Sequence, residues 1–139
     1  MRKILILLTP LLLAGCIKQS ASYYVSETRD HAITLRAEQE YFWEDNITLT
    51  LVVSRMPDCQ RAIPMGKVPK TDLAVELFSS GDGVFTLRSG SEVLQVDTQS
   101  CTQLAAPAPN ALGDGVGVFS LGKDKMEFNL AAPTASAVK

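Results

Sequence analysis

The sequence predicts an all-β domain, built mainly from antiparallel hairpins and closed into a small sandwich or barrel. Apolar and polar side chains alternate with a period of two along residues 33–43 and again along 47–53, which is typical of strands with one buried face. Three shorter apolar runs, at 73–78, 84–87 and 93–96, are separated by turns rich in Gly, Ser and Asp. Short strands joined by tight turns are typical of a meander, so the pattern favours a single antiparallel β domain.

The first hairpin is predicted on either side of the turn residues Glu44-Asp45-Asn46. After this turn, the segment 47–53 is rich in β-branched residues, which favour strands. Residues 35–42 contain good helix formers, so a minor helix there is the alternative to a strand. Before the turn, every second residue is apolar except Gln39, and the apolar positions are Ile33, Leu35, Ala37, Tyr41 and Trp43.

A long loop is predicted between the first hairpin and the meander. We interpret Met56–Thr71 as this loop, because Pro64, Gly66 and Pro69 punctuate it. The remaining segments are a linker over 104–115 and a last hairpin, whose strands are expected at Val116–Leu121 and Met126–Leu130.

The first sixteen residues have the layout of a secretory signal. Arg2 and Lys3 precede an apolar run over Ile4–Leu13, and small residues follow it. The run is shorter than the roughly 20 apolar residues that a membrane-spanning helix needs, and it contains Pro10. Its exit, Leu13-Ala14-Gly15-Cys16, resembles the lipobox of bacterial lipoproteins.

The resemblance to bacterial lipoproteins implies that Cys16 is acylated and becomes the mature N-terminus. Members of that family carry several acyl chains, and two or more chains hold a protein firmly on a bilayer. In the enterobacterial sorting scheme, Asp after the cysteine retains a lipoprotein at the inner membrane, whereas Ile17 and Lys18 follow here. The resemblance therefore implies the outer membrane, facing the periplasm, with the inner membrane as the alternative. An ordinary signal with an incidental cysteine is the other interpretation.

These patterns divide the chain into four segments. We expect a signal peptide over 1–15, a lipidated tether over 16–22, a single β domain over 23–130 and a disordered tail over 131–139. The tail consists mainly of small residues and is broken by a proline, so it offers little to a core. The chain that remains without the signal is long enough for one domain with a core of its own.

The mature chain is mildly acidic. Once Arg2 and Lys3 leave with the signal, 11 of the 13 Lys and Arg remain against 15 Asp and Glu, which gives a net side-chain charge of −4. A domain with this balance and without a cluster of basic residues is not expected to bind nucleic acid or anionic lipid headgroups.

Two cysteines remain after Cys16 is assigned to lipid. Cys59 and Cys101 form an even pair in an oxidising compartment, which predicts a structural disulfide, with free or intermolecular thiols as the alternative. A zinc site is the competing use, but neither cysteine lies in a C-x-x-C motif and His31 is the one histidine of the chain. We therefore expect neither a metal nor a cofactor.

The sequence contains few candidate catalytic residues. A nucleophilic triad would have to use His31, which lies outside any G-x-S-x-G motif. Glu38, Glu40, Glu44 and Asp45 offer pairs of carboxylates near the first turn, but a solvated strand face is the default explanation for them. The expected protein is therefore not an enzyme.

The sequence favours a non-catalytic binding or assembly module, anchored to the membrane and facing the periplasm. The Met56–Thr71 loop is the predicted partner-binding surface, because it collects Arg61, Lys67 and Lys70 on an acidic domain. Such a patch would suit an acidic envelope protein or polymer, and a solvated connector is the alternative. Two other functions stay open: a lysozyme-type inhibitor that inserts this loop into an enzyme, and an envelope glycan hydrolase that uses two carboxylates.

Overall fold

The computed structural model of the chain describes residues 18–41, 43–122 and 125–130, which form ten strands and one short 3-10 turn. The predicted signal over 1–15, the lipidated Cys16 and the predicted tail over 131–139 lie outside the described residues. The strands form two antiparallel sheets, one of four strands and one of six, so the prediction of an all-β domain is confirmed. Within the described residues, no helix is long and apolar enough to cross a bilayer.

The first sheet is a meander of four strands in chain order. The predicted first hairpin forms from β2 (His31–Glu38) and β3 (Asn46–Arg55), whose alternating apolar residues are buried on one face. β1 (Lys18–Tyr24) pairs with β2, and β4 (Cys59–Pro69) pairs with β3. β1 and β4 are therefore the two edges of this sheet.

The second sheet contains the predicted meander and the predicted last hairpin. Its strands in chain order are β5 (Ala74–Gly81), β6 (Val84–Ser89), β7 (Glu92–Asp97), β8 (Thr102–Leu104), β9 (Asp114–Leu121) and β10 (Met126–Leu130). β5, β6 and β7 form the meander. The last hairpin, β9 with β10, returns to pair with β5 on the side opposite β6, so the order is β10-β9-β5-β6-β7-β8.

The core lies between the two sheets. It is formed by the inward-facing aliphatic side chains of β2 and β3 and by those of the second sheet, together with the ring of Phe119. Burying one such side chain fully stabilises the fold by roughly 1.5–3 kcal/mol. The largest fully buried side chains are Ile33, Leu35, Ile47, Leu49, Leu51 and Val53 in the first sheet, and Val75, Leu77, Leu87, Val96 and Phe119 in the second.

Aromatic rings close the sandwich on the side of β1 and β10. The ring centroid of Tyr23 lies 5.9 Å from that of Phe85 and 5.3 Å from that of Phe128. Phe128 in turn lies 4.7 Å from Phe119. Tyr23 belongs to the first sheet and the three phenylalanines belong to the second, so this cluster packs an edge of one sheet against the other.

A disulfide ties the sheets together on the opposite side. Cys59 and Cys101 are bonded, with their Cα atoms 5.9 Å apart, so the predicted disulfide is confirmed. Cys59 begins β4 in the first sheet, and Cys101 lies in the turn between β7 and β8 of the second. The two sheets are therefore joined covalently at one end of this side.

Strands occupy parts of two segments that were expected to be irregular. β1 (Lys18–Tyr24) overlaps the predicted tether over 16–22. The predicted linker over 104–115 is shorter at both ends, because β8 ends at Leu104 and β9 begins at Asp114. The helix considered for 35–42 does not form over 35–38, which belongs to β2.

The prediction of a long loop over Met56–Thr71 is also wrong. A turn at 56–58 connects β3 to β4, and β4 accounts for most of the predicted loop. β4 accommodates Pro64 and Pro69 because an edge strand can lack an N–H on its outer side without losing a bond to its neighbour.

A β-bulge explains why Pro64 and Gly66, which are typical of loops, lie within β4. The register with β3 shifts between Leu49 and Thr50, so Pro64 lies opposite Thr50 and Gly66 lies opposite Leu49. Met65, between them, is the extra residue of the bulge. Gly66 has a φ of +83°, a backbone conformation that glycine adopts without a steric cost.

Candidate functional site

The basic residues expected to form one binding surface are separated by the strand. Arg61 and Lys67 lie on β4, six residues apart, which is about 20 Å along a strand. Lys67 Nζ donates hydrogen bonds to Glu40 Oε2 at 3.1 Å and to Glu44 Oε1 at 3.2 Å. The hydrogen bond to Glu40, followed by that to Glu44, raises the pKa of Lys67 above its usual value. Lys70 lies beyond β4 in the 3-10 turn, so the prediction of one cationic loop is wrong.

Three of the four carboxylates of the hydrolase hypothesis, those of Glu38, Glu40 and Glu44, are paired with cations. Arg36 Nη2 lies 3.0 Å from Glu38 Oε1, and Lys67 holds Glu40 and Glu44 as described above. The Glu44 side chain is 23% exposed and its Oε2 is buried, whereas the Glu40 side chain is 53% exposed. Acid–base catalysis uses two carboxyl groups whose surroundings split their pKa values, and here one ammonium, that of Lys67, neutralises both Glu40 and Glu44. The depression of about 670 Å³ beside them is lined by Lys18, Glu38, Gln39, Glu40, Thr48 and Lys67.

His31 begins β2 and lies opposite Arg55 of β3. Burial lowers the pKa of His31, and the positive charge of Arg55 lowers it further. Its Nε2 is buried and has no hydrogen-bond partner within the described ranges. Over those ranges, no group of three or more His, Cys, Asp or Glu side chains is arranged to hold a metal ion. His31 is therefore a residue of the first sheet whose surroundings disfavour its charged form.

A groove of mixed polar and apolar lining lies between the two sheets. It lies between the edge strand β4 and the hairpin of β6 and β7, and its volume is about 490 Å³. Four apolar side chains line it, and each is half-buried: Met65, Val68, Val93 and Leu94. The other residues that line the groove are Pro64, Gly66, Lys67, Ser89, Glu92 and Gln103.

The bulge in β4 shapes one wall of this groove. Met65 has no residue opposite it on β3, because the register passes from Pro64 directly to Gly66. Bulges bend a strand and re-aim its side chains, and they are frequent beside binding sites. The side chain of Met65 is flexible and polarisable, which suits contact with ligands of irregular shape.

The turn between β2 and β3 carries the second exposed apolar feature. Tyr41 and Trp43 stack with their ring centroids 4.9 Å apart and their planes 13° apart. Their exposed fractions are 45% and 66%. The alternating pattern predicts both on the buried face of a longer strand, but β2 ends at Glu38 and both side chains are exposed beyond it.

No protein-family model matches this chain, and searches of characterised proteins and of solved structures also find no match. The function of the site is therefore inferred from the geometry of this chain.

The sequence predicts one wall of the groove only in part. Lys67 is a candidate binding residue, and 64–68 lie within the predicted binding segment Met56–Thr71, but no apolar residue of the groove is singled out. Met65 lies in the segment interpreted as a loop, and Val93 and Leu94 were assigned to a short strand with no role in binding. The one local signal was the unusual punctuation by Pro64 and Gly66, which marks the bulge but was interpreted as a loop.

Proposed function

We propose that this chain is a lipid-anchored envelope protein, held on the membrane through Cys16, and that its β sandwich is a non-catalytic binding module facing the periplasm. The observation that carries the binding role is the groove between β4 and the β6–β7 hairpin. Its volume of about 490 Å³ falls within the range of roughly 300–1,000 Å³ that is typical of ligand sites.

The lining of the groove supports an extended segment of another envelope protein as the ligand. Met65, Val68, Val93 and Leu94 offer apolar contact for one or two side chains of such a segment. The ammonium of Lys67 is already held by two carboxylates of this chain, so charge is not the main source of attraction there. Apolar side chains with a few polar groups among them are the usual lining of a ligand site.

Photocrosslinking in intact cells tests this function. A photoreactive phenylalanine analogue replaces Met65 in the groove, and in a matched variant it replaces Gln60, which is exposed on the same strand but does not line the groove. We expect a discrete protein adduct from position 65 and not from position 60. Mass spectrometry identifies the attached protein.

A second substitution shows whether the adduct depends on the groove. Val93→Glu should abolish the adduct formed from position 65, because it places a carboxylate in the apolar lining. Gln60→Glu is the matched control and should leave the adduct unchanged. Val93→Ser provides a milder change if Val93→Glu does not fold, as judged by thermal unfolding. Equal adducts from positions 60 and 65, or an adduct unaffected by both changes at Val93, would contradict the proposal.

A further inference from the structure

We propose that the turn between β2 and β3 is a membrane-contacting surface, with the stacked rings of Tyr41 and Trp43 placed at the interface of the bilayer. The inference rests on the membrane anchoring of the proposed function and adds to it an orientation of the domain. The ligand of this surface is a lipid bilayer with zwitterionic headgroups.

The turn lies at the end of the sandwich where the N-terminal segment enters. Lys18 pairs with Glu38, the last residue of β2, and lines the same depression as Gln39. Cys16 precedes Lys18 by two residues, which span at most about 7 Å of extended chain. A lipid on Cys16 therefore holds this end of the domain against the bilayer.

The disulfide marks the opposite end of the same sandwich. Asn46, at the start of β3, lies opposite Pro69, at the end of β4. Arg55, at the other end of β3, lies opposite Cys59. The Cys59–Cys101 bond is therefore a full strand length away from the turn that carries Tyr41 and Trp43. A domain anchored through Cys16 directs its disulfide end away from the membrane.

The two rings have the chemistry of a membrane interface. Tyr and Trp combine an apolar body with a polar tip, and they are enriched where a bilayer meets water. Trp43 is the more exposed of the pair, and stacking places the two rings face to face as one aromatic unit. Insertion into the headgroup region would remove that surface from water while leaving the polar tips hydrated.

Hydrogen bonds within the turn hold the rings in place. The backbone N–H of Glu44 donates to the carbonyl of Tyr41 at 3.0 Å. Gln39 Nε2 donates to the carbonyl of Glu44, and Lys67 of β4 holds the Glu44 side chain. A braced turn presents its rings in one orientation, so little conformational entropy is lost when they dock.

The charges around the turn are mutually compensated. Arg36 pairs with Glu38, and Lys67 pairs with Glu40 and Glu44, which makes two cations and three carboxylates. Lys18, Lys70 and Asp45 lie at the same end and bring the balance to four of each. This arrangement provides no cationic attraction to anionic lipid, in agreement with the mildly acidic composition of the chain. Contact through the aromatic rings, rather than through charge, is therefore what the surface offers to a bilayer.

Fluorescence tests this orientation, because Trp43 is the one tryptophan of the chain. Full-length protein is extracted from cell membranes and reconstituted into phosphatidylcholine vesicles, with or without brominated acyl chains. The reference is the Cys16→Ser variant in detergent-free buffer. Relative to this variant, we expect the Trp43 emission of the reconstituted protein to shift to the blue. We also expect its intensity to fall in the brominated vesicles. Emission that remains red, accessible to aqueous iodide and unquenched by brominated lipid would overturn the proposal and favour a protein partner for these rings.

A relocated tryptophan provides the matched control. In the variant Trp43→Phe with Asp58→Trp, the reporter lies in the exposed turn between β3 and β4, at the disulfide end. Its emission should be insensitive to brominated lipid. Quenching at position 58 equal to or greater than that at position 43 would overturn the proposed orientation.

Two separate measurements test the attachment of Cys16 to the membrane. The mass of the N-terminal peptide shows whether Cys16 carries lipid, and vesicle flotation shows whether the protein is bound. A parent protein without lipid, or a Cys16→Ser variant that floats like the parent, would overturn the proposed lipid anchor. A lipidated parent that floats while Trp43 stays in water would overturn only the inference about the turn.

Discussion

Cys59 and Cys101 connect the first residue of the edge strand β4 to the turn that precedes β8, so one covalent bond joins the outer parts of the two sheets. The side chain of Cys101 is buried, and Cys59 packs against the core. The aromatic cluster around Tyr23 closes the opposite side of the sandwich. The disulfide therefore stabilises the side on which the groove opens, and it does so at the end away from the N-terminal segment.

Removal of this bond by Cys59→Ser with Cys101→Ser should lower the free energy of unfolding by about 4 kcal/mol, the value that the chain-entropy model gives for a loop of this length. The two cysteines are 42 residues apart in the sequence. Urea unfolding followed by circular dichroism measures the change. Reductant should destabilise the parent and leave the double variant unaffected. A parent that unfolds at the same urea concentration with and without reductant would show that the bond adds nothing to stability.

The alternation of apolar residues predicted the central strands because those strands bury one face. In β3 the residues from Ile47 to Val53 alternate between fully buried and partly exposed, as the sequence pattern requires. Gln39 was the exception to the pattern in the preceding run, and the structure explains it. Its side chain is buried and donates to the carbonyl of Glu44, so a polar residue at a core-facing position is satisfied by the turn that follows.

The edge strand β4 and the apolar lining of the groove were not predicted, for a physical reason. β4 hydrogen-bonds to a neighbouring strand on one side and contains a bulge, so its residues do not have to alternate and can include Pro64, Gly66 and Pro69. Met65 and Val93 come from different sheets and line the same groove only because those sheets pack together, which no local pattern encodes. The disulfide was predictable because the number of cysteines and the expected compartment limited the pairing.

Acid should destabilise the protein through His31. The folded state holds the pKa of His31 below its ordinary value of 6.5, through burial first and the charge of Arg55 second. Below that ordinary value the unfolded chain binds a proton that the folded state does not, so stability falls as the pH decreases and the loss is complete below the folded pKa. We expect His31→Gln to lose less stability than the parent between about pH 7.5 and about pH 5.5. The urea midpoints of both proteins, measured across this pH range, test the expectation. Parallel pH profiles of the two midpoints would contradict it.

Two glycines of β9 should respond in opposite ways to alanine. Gly117 is buried, and a Cβ there would collide with the carbonyl oxygen of Asn129 and lie 2.5 Å from Cζ of Phe128. Phe128 belongs to the aromatic cluster that packs β1 against the second sheet, so its ring cannot move away without disturbing Tyr23. A Cβ at Gly115 would meet no atom within 4 Å.

We therefore expect Gly117→Ala to lower the free energy of unfolding by about 1–3 kcal/mol, the usual result of overpacking a core. Gly115→Ala, the matched control on the same strand, should be neutral or stabilise by up to about 1 kcal/mol, because alanine has less conformational freedom to lose on folding. Urea unfolding curves of the two variants and the parent measure both changes. Phe128→Leu, which shortens the clashing side chain, should make Gly117→Ala less harmful than it is in the parent. Equal effects of the two alanine substitutions would show that the aromatic cluster does not constrain the backbone of β9.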